Sequence, residues 1–261
     1  MGKLAASYFD IDKLDAELRD QMFALFEQYY EAVSMDHFVG DLDSKTLAIL
    51  LHDGDGVLRG FSTLEVIHFE TDDGPAIAIY SGDTIVNHNY WGEQQLTYAW
   101  CYFAGQLKQQ HPDIPLYWFL LVKGHRTYRL LPAFTRNFYP NARNKMPPKF
   151  RQIVDQLATE KFGSAYLPDA GILHFPESHG HLRPEWAAMN DEVKEKRHVA
   201  FFLRANPGFT QGDELVCLAE LCKENVRFVS RTAFIKGMDS CRDGTTFEQA
   251  SPERALHCSN H

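Results

Sequence analysis

The stretch DTIVNHNYWGEQQLTYAW, residues 83–100, decides the reading of this chain. It reads as a strand, a short polar turn with the single glycine Gly92, and then a helix. A strand that turns directly into a helix is where many α/β enzymes hold phosphates or a thioester arm, because the helix N-terminus offers unpaired N–H groups. Phosphate-cradling loops commonly carry two or three glycines, and this turn has one.

Upstream, Leu14, Leu18, Met22, Leu25, Phe26, Tyr29 and Val33 recur at helical spacing, so residues 14–33 are predicted to form one amphipathic helix. Three strands follow, at 45–51, 57–69 and 76–86, with turns at Asp53–Gly56 and Asp72–Pro75. The D-G dipeptides supply the positive φ of tight hairpins. Downstream, Leu96, Trp100, Phe103 and Leu107 form one helical stripe that stops near His111–Pro112. The run PLYWFLLV, 115–122, reads as a strand buried on both faces. The segment GHRTYRLLPAFTRNFYP reads as a helix bent or restarted at Pro132, and 148–161 as another helix. Residues 163–197 form a loop-rich insertion. Residues 198–205 and 213–220 read as a closing hairpin. The expected class is α+β, a mixed, mostly antiparallel sheet flanked by helices, in one domain over 1–236. A polar tail is expected over 237–261.

The chain has 261 residues, with 44% apolar and 13% aromatic residues, ample for a globular core. No stretch approaches the roughly 20 apolar residues of a membrane span, and the first residues lack the apolar centre of a signal peptide. A cytoplasmic protein is expected. The five cysteines include no C-x-x-C, and inert thiols are expected rather than a disulfide framework. The net charge of −9 is unevenly spread. Residues 1–100 hold 5 Lys and Arg against 18 Asp and Glu, while residues 101–161 hold 10 against 3. A concentrated basic segment in an acidic chain points to a local anion site. It argues against nucleic-acid binding, since the basic residues lack interleaved stacking aromatics.

The element order resembles that of the GNAT acyltransferase superfamily. YSGDTIVNHNYWGEQQL is similar to the segment that ends the central strand and enters the pantetheine-side helix. LYWFLLVKGHRTYRLL is similar to the next strand and the helix that splays from it, and HVAFFLRANPGFTQGDELVCLAEL to the closing hairpin. KGHRTYRLLPAFTRNFYP also resembles a distinct set of GNAT-like proteins. The resemblance covers about residues 12–225. The family pattern Q/R-x-x-G-x-G/A is reduced here to HNYWGEQQL, with Gly92 in the middle glycine position and Gln94 where a Gly or Ala usually stands. The tyrosine that many members carry after the next strand falls near Leu131, with Tyr128 and Tyr139 nearest.

The resemblance implies transfer of an acyl group, a fatty acyl group included, from a thioester to an amine of a small molecule or peptide. Thr84, Ile85, Val86 and Asn87 would pair with the pantetheine arm. Trp91, Gly92, Glu93 and Gln94 would meet the phosphates, with Arg126 and Arg129 as further anion ligands. The donor would be acyl-CoA or the acyl-phosphopantetheine of an acidic acyl carrier protein, which the basic segment from Lys123 to Arg151 would suit.

Acyl transfer needs a base for the amine, and Asp83 and Glu65 are the carboxylates within the central strands. His125 and Tyr128 stand where a general acid is needed. His179 and His181 have no further ligand to complete a metal site, so no metal is expected. The aromatics Tyr90, Trp91, Tyr117, Trp118 and Phe119 suit either a tunnel for a long acyl chain or core packing. The lone glycine and displaced tyrosine keep a second reading open, a non-catalytic GNAT-like module that binds an acyl group, CoA or a protein.

Overall fold

A computed structural model describes residues 3–176 and 179–242. The chain opens with β1 (Ala5–Asp10), α1 (Ala16–Phe26), the short β2 (Tyr30–Glu31) and α2 (Met35–Asp43). The three long strands follow as β3 (Leu47–His52), β4 (Leu58–Thr71) and β5 (Gly74–Val86). Next come α3 (Gln95–Gln110), β6 (Leu116–Val122), α4 (His125–Tyr128), α5 (Leu130–Phe134) and α6 (Pro148–Phe162). The insertion contains β7 (Tyr166–Leu167), β8 (Ile172–Leu173), β9 (His181–Leu182), α7 (Pro184–Ala187) and α8 (Asp191–Glu195). The chain continues through α9 (Arg197–Ala205), β10 (Glu214–Glu220) and α10 (Phe228–Arg242).

Eight strands form one sheet in the order β1-β3-β4-β5-β6-β10-β8-β7, and β2 pairs separately with β9. Every pairing is antiparallel except β5 with β6. That parallel pair runs only from Ile77 opposite Leu116 to Ser81 opposite Leu120. Beyond Ser81, β5 stays with β4 while β6 stays with β10, so the two central strands part. A bulge marks the parting: between the pairs Leu64–Ser81 and Ser62–Thr84, Gly82 and Asp83 stand opposite Thr63 alone. Bulges re-aim side chains where they occur.

Alternation divides the core. Ile77 and Ile79 pack with α3, α10 and β6 on one face, while Ala76, Ala78 and Tyr80 pack against α6 on the other. A third cluster joins α1 and α2 to β3 and β4 through Met22, Phe26, Phe38, Leu50 and Phe61. The expected mixed, mostly antiparallel sheet and its meander are present, and the two central strands part after Ser81.

Four expectations are corrected. The helix over 14–33 ends at Phe26, and a second, α2, begins after Ser34, whose hydroxyl accepts from the His37 N–H at 3.2 Å. Between them Ala32 has φ +56°, a left-handed conformation that breaks helical continuation. Strand β1 went unread because AASYFD alternates weakly. The break after residue 124 falls at Arg129, before Pro132, because the proline ring would crowd the carbonyl four residues earlier. Most consequential, 198–205 is the helix α9, with Val199 and Phe202 buried three apart on one face. There is accordingly no closing hairpin. Strand β10 instead lies between β6 and β8. Residues 237–242 continue α10, and the rest of the expected tail, 243–261, lies outside the described residues.

Candidate active site

Two cavities meet where β5 and β6 part. The larger, about 230 Å³, is bounded by the β5 bulge, the end of β6, the start of β10, the α1–α2 connection and the insertion. The smaller, about 120 Å³, runs between Thr84–Val86 and the start of α4. Tyr30, Thr84 and Thr127 line both.

Asp83 enters the larger cavity from the bulge. It forms no hydrogen bond or ion pair with another described residue. Burial, then the nearby Asp41, pushes its carboxyl up to about 6, against the opposing pull of Lys123 and Lys45. Lys123, just past β6, lies 3.5 Å from Glu214 at the start of β10. Burial opposes the Lys123 charge, but Glu214 and Asp83 outweigh it and raise the ammonium above its ordinary value. Burial also raises Glu214, with Lys123 pulling the other way. Lys45 is closed off from solvent and bonds Asp41 at 2.6 Å. Among the described residues the lining therefore presents Glu214 paired with Lys123, Asp41 paired with Lys45 from behind the wall, and Asp83 with neither hydrogen bond nor ion pair. Among lone carboxylates, one with a value near neutrality is suited to accept a proton.

Glu65 does not line either cavity. It is bound to Lys161 at 2.5 Å, and is set aside as the base. Tyr128 is fully buried, gives its hydroxyl proton to the Pro140 carbonyl at 2.8 Å, and packs among Phe138, Phe201 and Phe202. Burial raises its hydroxyl far above the usual phenol value, so it is a core residue rather than a proton donor. His125 does line the smaller cavity. Its Nδ1 is buried without a hydrogen-bond partner, and burial, then Arg126 and Arg129, lowers it to about 4.

The donor-side residues divide. The Asn87 N–H bonds the Arg59 carbonyl at 2.7 Å. By alternation Ile85 also turns its backbone to β4, which leaves the N–H and C=O of Thr84 and Val86 facing the opening. That edge suits an extended amide-bearing arm. The Val86 carbonyl, however, already accepts from the Trp91 indole at 2.8 Å. Gly92 has φ +105° and open space around it, so the turn needs its glycine for conformation, not for close approach. Gln94 precedes α3 without a side-chain cap and donates to the Gly92 carbonyl at 3.1 Å. Glu93 closes the turn through its N–H to Tyr90 at 3.1 Å. Arg126 lies over the Trp91 ring at 4.8 Å and bonds the Trp186 carbonyl, while Arg129 is exposed.

The insertion covers the mouth of the smaller cavity as well as part of the larger one. β9 pairs with β2, Arg183 bonds the Glu27 carbonyl, and the Trp186 indole bonds the Gln28 carbonyl at 3.0 Å. The Trp186 ring packs against Tyr29, His88 and Trp91 across the mouth of the smaller cavity. Tyr117, Trp118 and Phe119 are buried in the core and line neither cavity. Within the basic segment, Lys149 pairs with Asp73 and Arg151 with Asp155, leaving Arg129, Arg136, Arg143 and Lys145 exposed. Arg136 lies beyond the end of α5 at Phe134 and does not share a helix with Arg126.

Sequence reading missed Glu214, Asp41 and the cavity role of Lys123. The signals were present: a carboxylate opening the apolar run ELVCLA, and a lysine closing PLYWFLLV. Among the described residues no group of three or more His, Cys, Asp or Glu side chains is placed to hold a metal ion, and no helix is long and apolar enough to cross a membrane.

No protein-family model matches the chain, and no curated protein matches it either. Solved structures do. They include a conserved protein of unknown function from Enterococcus faecalis, 12% identical over 60% of this chain and 43% of that one, with a TM-score of 0.39. An Escherichia coli GNAT family N-acetyltransferase in complex with CoA is 16% identical over 51% of this chain and 73% of its own, with a TM-score of 0.35. Glucosamine-6-phosphate N-acetyltransferase from Arabidopsis thaliana is 11% identical over 57% of this chain and 99% of its own, with a TM-score of 0.35. The chain thus spans less than half the length of the first of these.

Proposed function

We propose that the protein is an N-acyltransferase that moves an acyl group from a thioester donor to an amine. The observation that carries this reading is the unpartnered Asp83 carboxylate, in a cavity that meets at Thr84 the opening between the parted strands. The exposed backbone edge at Thr84 aligns the donor arm, and Asp83 takes a proton from the amine. His125, held neutral by burial and by Arg126 and Arg129, serves the donor as a hydrogen-bonding group rather than a charged acid; its lowered value and its place in the smaller cavity support this. Holding both reactants in line supplies much of the rate in such reactions.

Acyl-CoA and the acyl-phosphopantetheine of a carrier protein share the arm that this edge would hold. Arg129, Arg136, Arg143 and Lys145 are the exposed cations left for an acidic carrier. The test is incubation of the purified protein with acyl-CoA donors of short and long chain, acyl carrier proteins and an amine panel. Amide products are read by mass spectrometry. Product that disappears with Asp83→Asn supports the proposal, whereas no donor bound and no product formed sinks it.

One observation favours a second reading, a non-catalytic module. Trp186 lies across the donor opening, and the Val86 carbonyl is already engaged by Trp91. On that reading the donor binds without turnover, and Asp83→Asn leaves the binding unchanged.

A further inference from the structure

The charge and shape of the larger cavity select among amines. Among the described residues its lining carboxylates are Asp41, Asp83 and Glu214, and its only lining lysine or arginine is Lys123. Lys123 is taken by Glu214 and Asp41 by Lys45. Among the described residues no lysine or arginine of the lining is left for an acidic group on the acceptor, whereas one carboxylate is left for a basic one. A carboxylate or phosphate brought in beside the amine would face Asp83 and Glu214 in a partly desolvated space, where like charges repel strongly. The rest of the lining mixes polar groups, among them Ser34, His37, Thr84, Thr127 and His179, with an aromatic part. Phe26 and Phe38 come from α1 and α2, Phe162 from the end of α6, and Phe175 from the insertion. The volume, about 230 Å³, lies below the roughly 300–1,000 Å³ of drug-sized ligand sites.

We propose that the acceptor is a small hydrophobic primary amine without a carboxylate or phosphate, its ammonium paired with Asp83 and its apolar body packed against Phe26, Phe38, Phe162 and Phe175. This rests on the acyl-transfer reading for the step that follows binding. In that step one ammonium proton passes to the Asp83 carboxylate and the freed nitrogen attacks the thioester carbonyl carbon. The C–N bond forms, the C–S bond breaks, and the second nitrogen proton leaves with the sulfur as a thiol. The amide keeps the third.

Two kinds of measurement on the full chain test it. Titration calorimetry compares 2-phenylethylamine and hexylamine with L-phenylalanine and phosphoethanolamine, and mass spectrometry follows acyl transfer to each. The uncharged-bodied amines are expected to bind at least about tenfold more tightly than the two that carry an anion, the scale of one unfavourable charge contact. Asp83→Asn is expected to weaken amine binding by about tenfold or more, and Phe175→Ala to weaken 2-phenylethylamine more than hexylamine. The wild-type comparison stands alone should either variant fail to fold. Equal or tighter binding of L-phenylalanine or phosphoethanolamine, or no binding of either hydrophobic amine, overturns the inference. Hydrophobic amines that bind but receive no acyl group from any thioester support it and defeat the acyl-transfer reading. Transfer confined to the anionic amines does the reverse.

Discussion

Lys123 stands 3.5 Å from Glu214, and that pairing leaves Asp83 as the cavity carboxylate without a partner among the described residues. Burial and Asp41 set the Asp83 carboxyl at about 6. A base works ionised, so acyl transfer is expected to rise with pH along a limb whose midpoint lies near that value. Replacing Asp83 by Asn removes the limb and lowers kcat/KM by about 10²–10⁴, the usual contribution of a positioned base. The check is a pH–rate profile of parent and variant. A limb that survives the substitution assigns the base elsewhere.

The same shift bears on stability, with the opposite sign to activity. A carboxyl whose folded value exceeds its unfolded one binds its proton more tightly when folded. Its contribution is fully present below the ordinary value of 3.8 and is lost as pH rises through about 6. At neutral pH the Asp83 charge is therefore destabilising. Asp83→Asn is expected to raise the thermal midpoint at neutral pH and to lose that advantage in acid. Scanning calorimetry at the two conditions decides it; a lower midpoint at neutral pH would show that the carboxylate is structural.

Glu214 raises the Asp83 value and Lys123 lowers it. Glu214→Gln removes one like charge and releases Lys123 to face Asp83, so the acid limb moves to lower pH. Lys123→Met removes the larger of the two opposing cations and leaves Lys45, and the limb moves to higher pH. The second change also strands a carboxylate that is only 11% exposed, and breaking such a pair costs about 3–5 kcal/mol. Opposite displacements in the two pH profiles are the expected result. Displacements of the same sign would mean that Asp83 does not sense this pair.

Trp186 covers the mouth of the smaller cavity by packing on Tyr29, His88 and Trp91. Its carbonyl also holds the Arg126 guanidinium, which lies over the Trp91 ring. Trp186→Ala frees the mouth without touching the acceptor cavity, whose lining it does not join. Acetyl-CoA is expected to bind the variant more tightly than the parent by titration calorimetry, with amine affinity unchanged. Weaker donor binding would make Trp186 part of the donor site instead of its cover.

The parting strands were legible because their signals are local. PLYWFLLV is an unbroken apolar run of strand length, and the D-G turns mark the meander before it. Asp83 was legible for the same reason, as a carboxylate inside a strand. Its partners were not. Glu214 lies 131 positions from Asp83 in sequence, and only the placement of β10 beside β6 brings Glu214 to Lys123. The misread α9 shows a different limit. HVAFFLRA satisfies strand composition, yet its burial pattern has helical spacing, and eight residues are too few to separate the two periods. Trp186 was invisible as a cover because its position depends on β9 pairing with β2.

Gly105 on α3 and Gly237 on α10 face each other's helices at backbone range. A Cβ at Gly105 would collide with the Phe234 carbonyl, and one at Gly237 with the Tyr102 carbonyl. Each obstacle is backbone, so neither can move aside as a side chain would. The two helices must separate, loosening Ala104, Leu107, Ala233 and Phe234 from the core beneath. Gly105→Ala and Gly237→Ala are each expected to destabilise by about 2–3 kcal/mol or more, the upper range for overpacking. That outweighs the gain of about 0.5–1 kcal/mol that alanine brings inside a helix. Because both act on one interface, the double variant should cost less than the sum of the two. Urea unfolding of the three variants measures this. A neutral or stabilising Gly237→Ala would show that α10 does not pack on α3 at this distance, and would remove the C-terminal helix from the fold described above.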